Sequence, residues 1–267
     1  SKCMEECLQR GIPVSYFSKG GRYYGRLMST GHVKAQLQRK QAALYDTQFA
    51  LELSQKIIQA KLQNQLVVLR RYARSRNVEI KDIEIMLANC ISKTQYIHGI
   101  EELMGYEGTG AKYYFDGLSR CIEEDFVFKG RSKRPPLDAF NSMLSLGYSV
   151  LMNEVYGAIE TKGLNPYFGF MHRDAEKHPT LASDMMEEWR AVLIDSTVMS
   201  MINGHEISHS EFYNEIDRPG VFMTKDSLRK YLSKLEKKFQ TESRYLGYVD
   251  YAVSFRRGIA LQMKQLV

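Results

Sequence analysis

The sequence predicts a mainly α fold: a large helical domain preceded by the C-terminal part of a small β-rich domain. Three observations predict it. No proline stands between Pro13 and Pro135, so long helices are free to form there. Apolar residues recur at helical spacing along most of the remainder. A paired β-branched run across a glycine turn occurs near the start. With 267 residues and 44% hydrophobic content, the chain can build a substantial core and is not intrinsically disordered.

Residues 2–10 read as a short helix stopped by Gly11, with Pro13 just beyond. The runs Ile12 to Phe17 and Tyr23 to Leu27, joined across Gly20-Gly21, predict a β-hairpin. Ser29-Thr30-Gly31-His32 reads as a linker, which puts a domain boundary near residue 30: residues 1–30 close a β-rich unit and residues 31–267 form the helical one. Leu37, Leu44, Leu51 and Ile58 recur every seven residues, with Leu62, Leu66 and Leu69 continuing the stripe. A coiled coil and a long amphipathic helix both fit this spacing; Gln65 and Tyr72 break the series and favour the amphipathic helix. Glu79 to Cys90 repeats the pattern. Pro135-Pro136 opens a helix running toward Gly163, Thr180 to Met201 is a further helix, and Thr224 caps one reaching about Phe239.

Composition excludes several classes. The longest uncharged stretch, Ala139 to Asn153, is shorter than the ~20 apolar residues of a membrane span. The first residues lack both an initiating Met and the apolar core of a signal peptide, so the chain reads as a fragment whose N-terminus is missing. Cys3, Cys7, Cys90 and Cys121 are too few and scattered for a disulfide scaffold and point to a reducing compartment. Residues 1–78 hold 14 Lys/Arg against 4 Asp/Glu, or +10; residues 79–267 hold 23 against 27, or −4. So basic a first third fits a phosphate backbone. Lys61, Arg70, Arg71, Arg74 and Arg76 are its densest stretch. A non-enzymatic helical nucleic-acid-binding module would account for it equally.

Two constellations could carry chemistry. His205-Glu206-Ile207-Ser208-His209 matches the H-E-x-x-H zinc protease signature, but Asn203-Gly204 before it marks a turn where that site needs a helix. The other is scattered. Glu107 lies in Gly105-Tyr106-Glu107-Gly108, read as the start of a helix. His172 ends the segment from Gly163, and Asp184 and Glu187 share one helix face. Carboxylates with an imidazole make a hard site suited to Mg²⁺ or Mn²⁺. Each residue singly also has a plain structural role open to it.

Gly-Tyr-Glu-Gly-Thr-Gly-Ala-Lys-Tyr-Tyr-Phe (105–115), Arg-Pro-Pro-Leu-Asp-Ala-Phe-Asn (134–141), Gly-Leu-Asn-Pro-Tyr-Phe-Gly-Phe-Met-His (163–172) and Leu-Ala-Ser-Asp-Met-Met-Glu-Glu-Trp-Arg (181–190) occur in this order. Together they resemble the CRISPR-associated protein one family, the integrase/endonuclease that inserts new spacers. Residues 8–27 resemble the end of that family's N-terminal β-domain. The resemblance implies a DNA endonuclease/integrase that joins the 3′-hydroxyl of a short DNA to a strand of the CRISPR repeat. It implies a metal site of Glu107, His172 and Glu187, with Asp184 as a supporting acid, and Mg²⁺ or Mn²⁺ as cofactor. It also implies a homodimer through the β-domain, a small bridging partner (CRISPR-associated protein two), an associated prespacer-processing nuclease, and a prokaryotic cytoplasmic location. Lys61, Arg70, Arg71, Arg74, Arg173, His178 and Arg190 are then candidate DNA contacts, Arg190 being equally suited to an ion pair on its own helix. Metal ligation needs a neutral imidazole at His172, so joining is expected to fall at acidic pH; a flat rate between neutral and mildly acidic pH would contradict it.

Overall fold

The computed structural model describes residues 1–17, 23–31 and 33–267. Helix α1 (Lys2–Gln9) ends before Gly11, whose positive φ of 67° suits a residue without a side chain. Strands β1 (Val14–Phe17) and β2 (Tyr23–Leu27) pair antiparallel, Val14 opposite Leu27. The Gly20-Gly21 turn and His32 of the predicted linker lie outside the described residues. Arg26 ties the hairpin to the helical body: it pairs with Glu160 at 3.1 Å, donates to the Asn153 carbonyl at 2.9 Å and lies over the Tyr156 ring.

The body is built from α2 (Ala35–Ala43), α3 (Gln48–Arg76), α4 (Lys81–Lys93), α5 (Ile100–Arg120), α6 (Ala139–Thr161), α7 (Thr180–Trp189), α8 (Ser196–Asn203), α9 (Lys225–Gln240) and α10 (Phe255–Gln265). A second hairpin, β3 (Phe212–Glu215) with β4 (Arg218–Met223), and a short pair, β5 (Glu242–Ser243) with β6 (Val253–Ser254), fill the gaps. None of the described helices is long and apolar enough to cross a membrane.

Helix α3 is the axle, packed against α4, α5 and α7. Its seven-residue leucine series does not form a coiled-coil seam. Ile58, Leu62 and Leu69 are fully buried in the protein's own core. The series also crosses a break: the chain turns between α2 and α3, with Asp46 at a positive φ of 57°. Gln65 and Tyr72 are buried with the leucines, and Tyr72 donates its hydroxyl to the Ser196 carbonyl at 2.6 Å. Tyr72 breaks the apolar pattern because a backbone carbonyl of the neighbouring helix takes its hydroxyl there.

Helix α5 begins at Ile100, well before Glu107, so Glu107 sits mid-helix and is not a helix-start carboxylate. Two glycines further along α5 serve close approach. A Cβ at Gly110 would stand 2.5 Å from Leu62 Cδ2, and one at Gly117 would stand 2.7 Å from Leu69 Cδ2. The seven-residue spacing on α5 meets the seven-residue spacing on α3. Gly110→Ala is therefore expected to cost about 1–3 kcal/mol through overpacking. Gly105→Ala, with nothing within 4 Å of its Cβ, should gain up to about 1 kcal/mol from helix propensity. Denaturant midpoints of the pair check the opposite signs.

The helix predicted over 180–201 is interrupted. After α7 the chain winds into a π-helical stretch, Arg190–Asp195, before α8 resumes. Such a stretch shifts the side chains that follow it, which an apolar pattern read at one period does not register.

Candidate active site

Asp184 organises the site. It is fully buried on α7 and accepts from three successive backbone N–H groups: Phe170 at 2.7 Å, Met171 at 3.1 Å and His172 at 3.0 Å. Its Oδ1 also lies 2.6 Å from His172 Nδ1. One carboxylate thus folds the loop ahead of α7 and orients the imidazole, leaving Nε2 free to face the cleft. Gly169 makes room for this, since a Cβ there would come within 2.8 Å of Asp184 Oδ2.

Glu107 on α5 and Glu187 on α7 converge on one positive charge. The Lys61 ammonium, buried on α3, pairs with Glu107 Oε1 and stands 2.6 Å from Glu187 Oε2. The second approach has the distance of an ion pair but not the direction of a hydrogen bond, so Glu187 Oε2 is buried with no hydrogen-bond donor. Arg190 holds the other oxygen, Oε1, at 3.0 Å. Burial pushes the Glu187 carboxyl up, but Arg190 and then Lys61 outweigh it and hold it at about 2. Burial likewise works against the charge on Lys61, which Glu187 and Glu107 restore and raise.

These groups floor a cleft of about 640 Å³. Glu107, His172 and Glu187 all line it, with Lys61, Arg131, Lys133, Tyr148 and Arg190. Arg131 donates to Asn141 Oδ1 at 2.7 Å and to Ser145 at 3.1 Å, and stands over the Tyr148 ring. Burial lowers the pKa of Lys133, and Arg190 and Arg131 lower it further. The cleft therefore sets Lys61, Arg131, Lys133 and Arg190 beside Glu107 and Glu187. Arg131 and Lys133 were missed in the sequence, although Lys129-Gly-Arg-Ser-Lys-Arg134 is a visible basic run.

Behind the cleft, Asp195 accepts from Tyr114 at 2.9 Å and Tyr148 at 2.6 Å. Burial raises its carboxyl to about 6 against these hydrogen bonds. A folded-state value above the ordinary 3.8 favours the protonated form. Its contribution to stability is present below about pH 4 and is lost as pH rises through 6, a span worth about 3 kcal/mol. Asp195→Asn should flatten this dependence. Unfolding free energies of variant and parent measured from pH 4 to 7 should diverge with rising pH, in the variant's favour.

The other sequence candidates disperse. Arg70 pairs with Glu84 at 2.7 Å, and Arg74 is exposed on the same helix. Arg71 faces a different cleft. Arg173 is exposed and paired with Glu101. His178 Nε2 lies 2.9 Å from Ser183 Oγ. Arg190 makes the ion pair on its own helix that its spacing allowed, and Lys61 faces carboxylates rather than open solvent.

The H-E-x-x-H segment forms no helix. His205 has a positive φ of 53° in the turn after α8, and His209 opens a short 3₁₀ turn. Glu206 is bound to Lys234 at 2.7 Å. The two imidazoles share no helix face, which removes the zinc protease reading. Among the described residues, no three His, Cys, Asp or Glu groups stand gathered to hold a metal ion, and Lys61 sits between Glu107 and Glu187. The donor set nonetheless suits a hard cation. Both carboxylates already converge on one positive charge, and Glu187 Oε2 lacks a hydrogen-bond donor.

The fold is shared with proteins of known structure. A casposase bound to integration product superimposes with a TM-score of 0.87 at 23% identity, covering 98% of this chain and 72% of the casposase. A chain of a Cas6-RT-Cas1–Cas2 complex gives 0.83 at 25% identity, covering 99% of this chain and 29% of that one. A family model, CRISPR associated protein Cas1, matches residues 1–237. The CRISPR-associated endonuclease Cas1 of Mycobacterium tuberculosis is 36% identical over 263 residues, 98% of this chain and 77% of the relative. The chain belongs to the Cas1 family, the CRISPR-associated endonucleases and integrases of spacer acquisition.

Proposed function

We propose that the cleft joins the 3′-hydroxyl of a short DNA to a strand of the CRISPR repeat, with Mg²⁺ or Mn²⁺ held by Glu107, His172 and Glu187. The observation that carries this reading is the convergence of Glu107 and Glu187 on one positive charge, in a basic cleft that His172 also lines. When bound, the metal supplies Lewis-acid polarisation of the scissile phosphate and charge stabilisation on its oxygens.

The chain's own residues do the rest. Asp184 fixes His172 by its Nδ1 edge, so that Nε2 is the ligating atom. Arg190 keeps Glu187 ionised and holds one of its oxygens. Lys133 and Arg131 receive the phosphate group over the carboxylates. Phosphoryl transfer depends on positioning and charge stabilisation more than on covalent participation, and this arrangement supplies both. Water in place of the 3′-hydroxyl gives endonuclease activity at the same site.

The proposed assembly is a homodimer formed through residues 1–30, with residues 31–267 as the catalytic unit. A small Cas2-type protein would bridge two such dimers in the prokaryotic cytoplasm. The likeness to a chain of a complex that includes Cas1 and Cas2 supports the bridging partner. Thermal unfolding tests the metal site. Mn²⁺ should raise the melting temperature of the parent and of His209→Ala, and leave His172→Ala unmoved. Equal stabilisation of His172→Ala would contradict the ligand set.

A further inference from the structure

A second basic cleft, of about 430 Å³, lies between α3, α8 and α9, away from the carboxylates. Arg71, Lys230, Lys234, Lys237 and Lys238 line it, against one acid, Glu206. On α3, Arg71 lies ten residues beyond Lys61, about 15 Å along the axis. Glu206 neutralises Lys234 at 2.7 Å, and Glu211 pairs with Lys230 at 3.3 Å. Among the described residues, Arg71, Lys237 and Lys238 have no carboxylate within ion-pair distance. Lys238 is half-buried, its ammonium 4.9 Å from the Phe255 ring centroid. Burial lowers its pKa, and the Arg71 charge from the facing helix lowers it further.

Cations from two helices facing each other across a concave surface repel. The arrangement costs energy until an anion lies between them. A solvated basic helix face would spread these charges outward; here they line a cleft. The occupant's chemistry follows from the lining. It is polar and charged apart from Tyr72, which is buried with its hydroxyl bound to Ser196. A protein partner needs apolar or aromatic anchors, and this cleft offers none. The unpaired cations, Lys237 and Lys238 on α9 and Arg71 on the facing α3, come from both sides of the cleft, which suits a phosphate backbone passing between them.

We infer that this cleft is a second DNA-backbone site, gripping phosphodiesters with Arg71, Lys237 and Lys238 while the reacting phosphate lies over the carboxylates. The inference rests on the proposal that the chain acts on DNA. The test uses the full chain, a labelled duplex and a salt series. For Arg71→Ala/Lys237→Ala/Lys238→Ala, the slope of log Kobs against log salt should become shallower by about two to three, since each phosphate contact contributes about 0.9. Arg71→Ala/Lys237→Ala, which leaves the Lys238 packing intact, should lose about two. Lys81→Ala/Lys93→Ala on α4 removes as much charge as this double variant and should barely change the slope.

Equal losses in the control would make the effect one of net charge and overturn the site. An unchanged slope, with inorganic phosphate stabilising the parent but not the triple variant, would make the cleft a small-anion pocket and overturn the DNA assignment. An unchanged slope without phosphate stabilisation would remove the site entirely. Failure of the parent to join DNA ends would bear on the proposed activity instead, because backbone binding is read separately from joining.

Discussion

Asp184→Ala is expected to lower stability by about 3–5 kcal/mol and joining by at least about 100-fold. The carboxylate is fully buried and satisfies three backbone N–H groups as well as the His172 ring. Truncation leaves all of these without their acceptor. Asp184→Asn separates the two roles: it keeps an acceptor oxygen but turns an amide N–H toward donors already pointing inward. That variant should remain folded under mild conditions while losing most joining, because the imidazole is no longer held by its Nδ1 edge. Circular dichroism with the joining rate checks both. A stable, fully active Asp184→Ala would show that His172 is positioned by something else.

The second large effect concerns Glu187. Glu187→Gln should abolish joining and destabilise by about 3–5 kcal/mol, the cost of leaving buried cations without their partner. Lys61 and Arg190 both direct their charge at this carboxylate, and both are shielded from solvent. The pH dependence follows with its sign. A carboxyl held at about 2 contributes stability that is fully present above its ordinary 4.5 and lost as pH falls toward 2. Glu187→Gln should remove that acid-side loss, so parent and variant converge in stability as pH drops. Lys61→Met in the same background should show a coupling of about 1–3 kcal/mol in a double-mutant cycle, since the two side chains share one network. Additive effects would mean that the ammonium and the carboxylate act independently.

Much of the fold was legible because its elements carry local signals. Thr224 caps α9 by accepting from the Ser227 N–H, and Asp138 accepts from the Asn141 N–H as α6 begins after Pro135-Pro136. Gly11 ends the first helix as its backbone freedom suggests. What failed lay where tertiary packing overrode local pattern. The leucine series ran through the break between α2 and α3 because both helices face the same core. The segment Gly105-Tyr106-Glu107-Gly108 reads as a helix start, yet α5 runs through it and uses Gly110 and Gly117 for close contact with α3. The helices α10 and the β3–β4 hairpin went unread.

The site was legible in part, and for a different reason. Glu107, His172 and Glu187 are 65 and 15 residues apart in sequence, and no spacing rule joins such positions. The resemblance brought them together, and all three line one cleft. The role of Asp184 could not be read from its spacing to Glu187, since both lie on one helix while their partners come from different directions. Lys61 looked like a phosphate contact because it sits in a basic stretch; burial and two carboxylates define it instead.

The most direct test is joining of a labelled DNA 3′ end into a repeat-containing duplex, with Mn²⁺ or Mg²⁺ and the bridging partner supplied. The parent and His209→Ala should join with similar rates, while His172→Ala and Glu107→Gln should not join. Joining that survives in His172→Ala, or a parent that binds DNA tightly yet neither joins nor cuts it, would contradict the assignment of this cleft as the catalytic site.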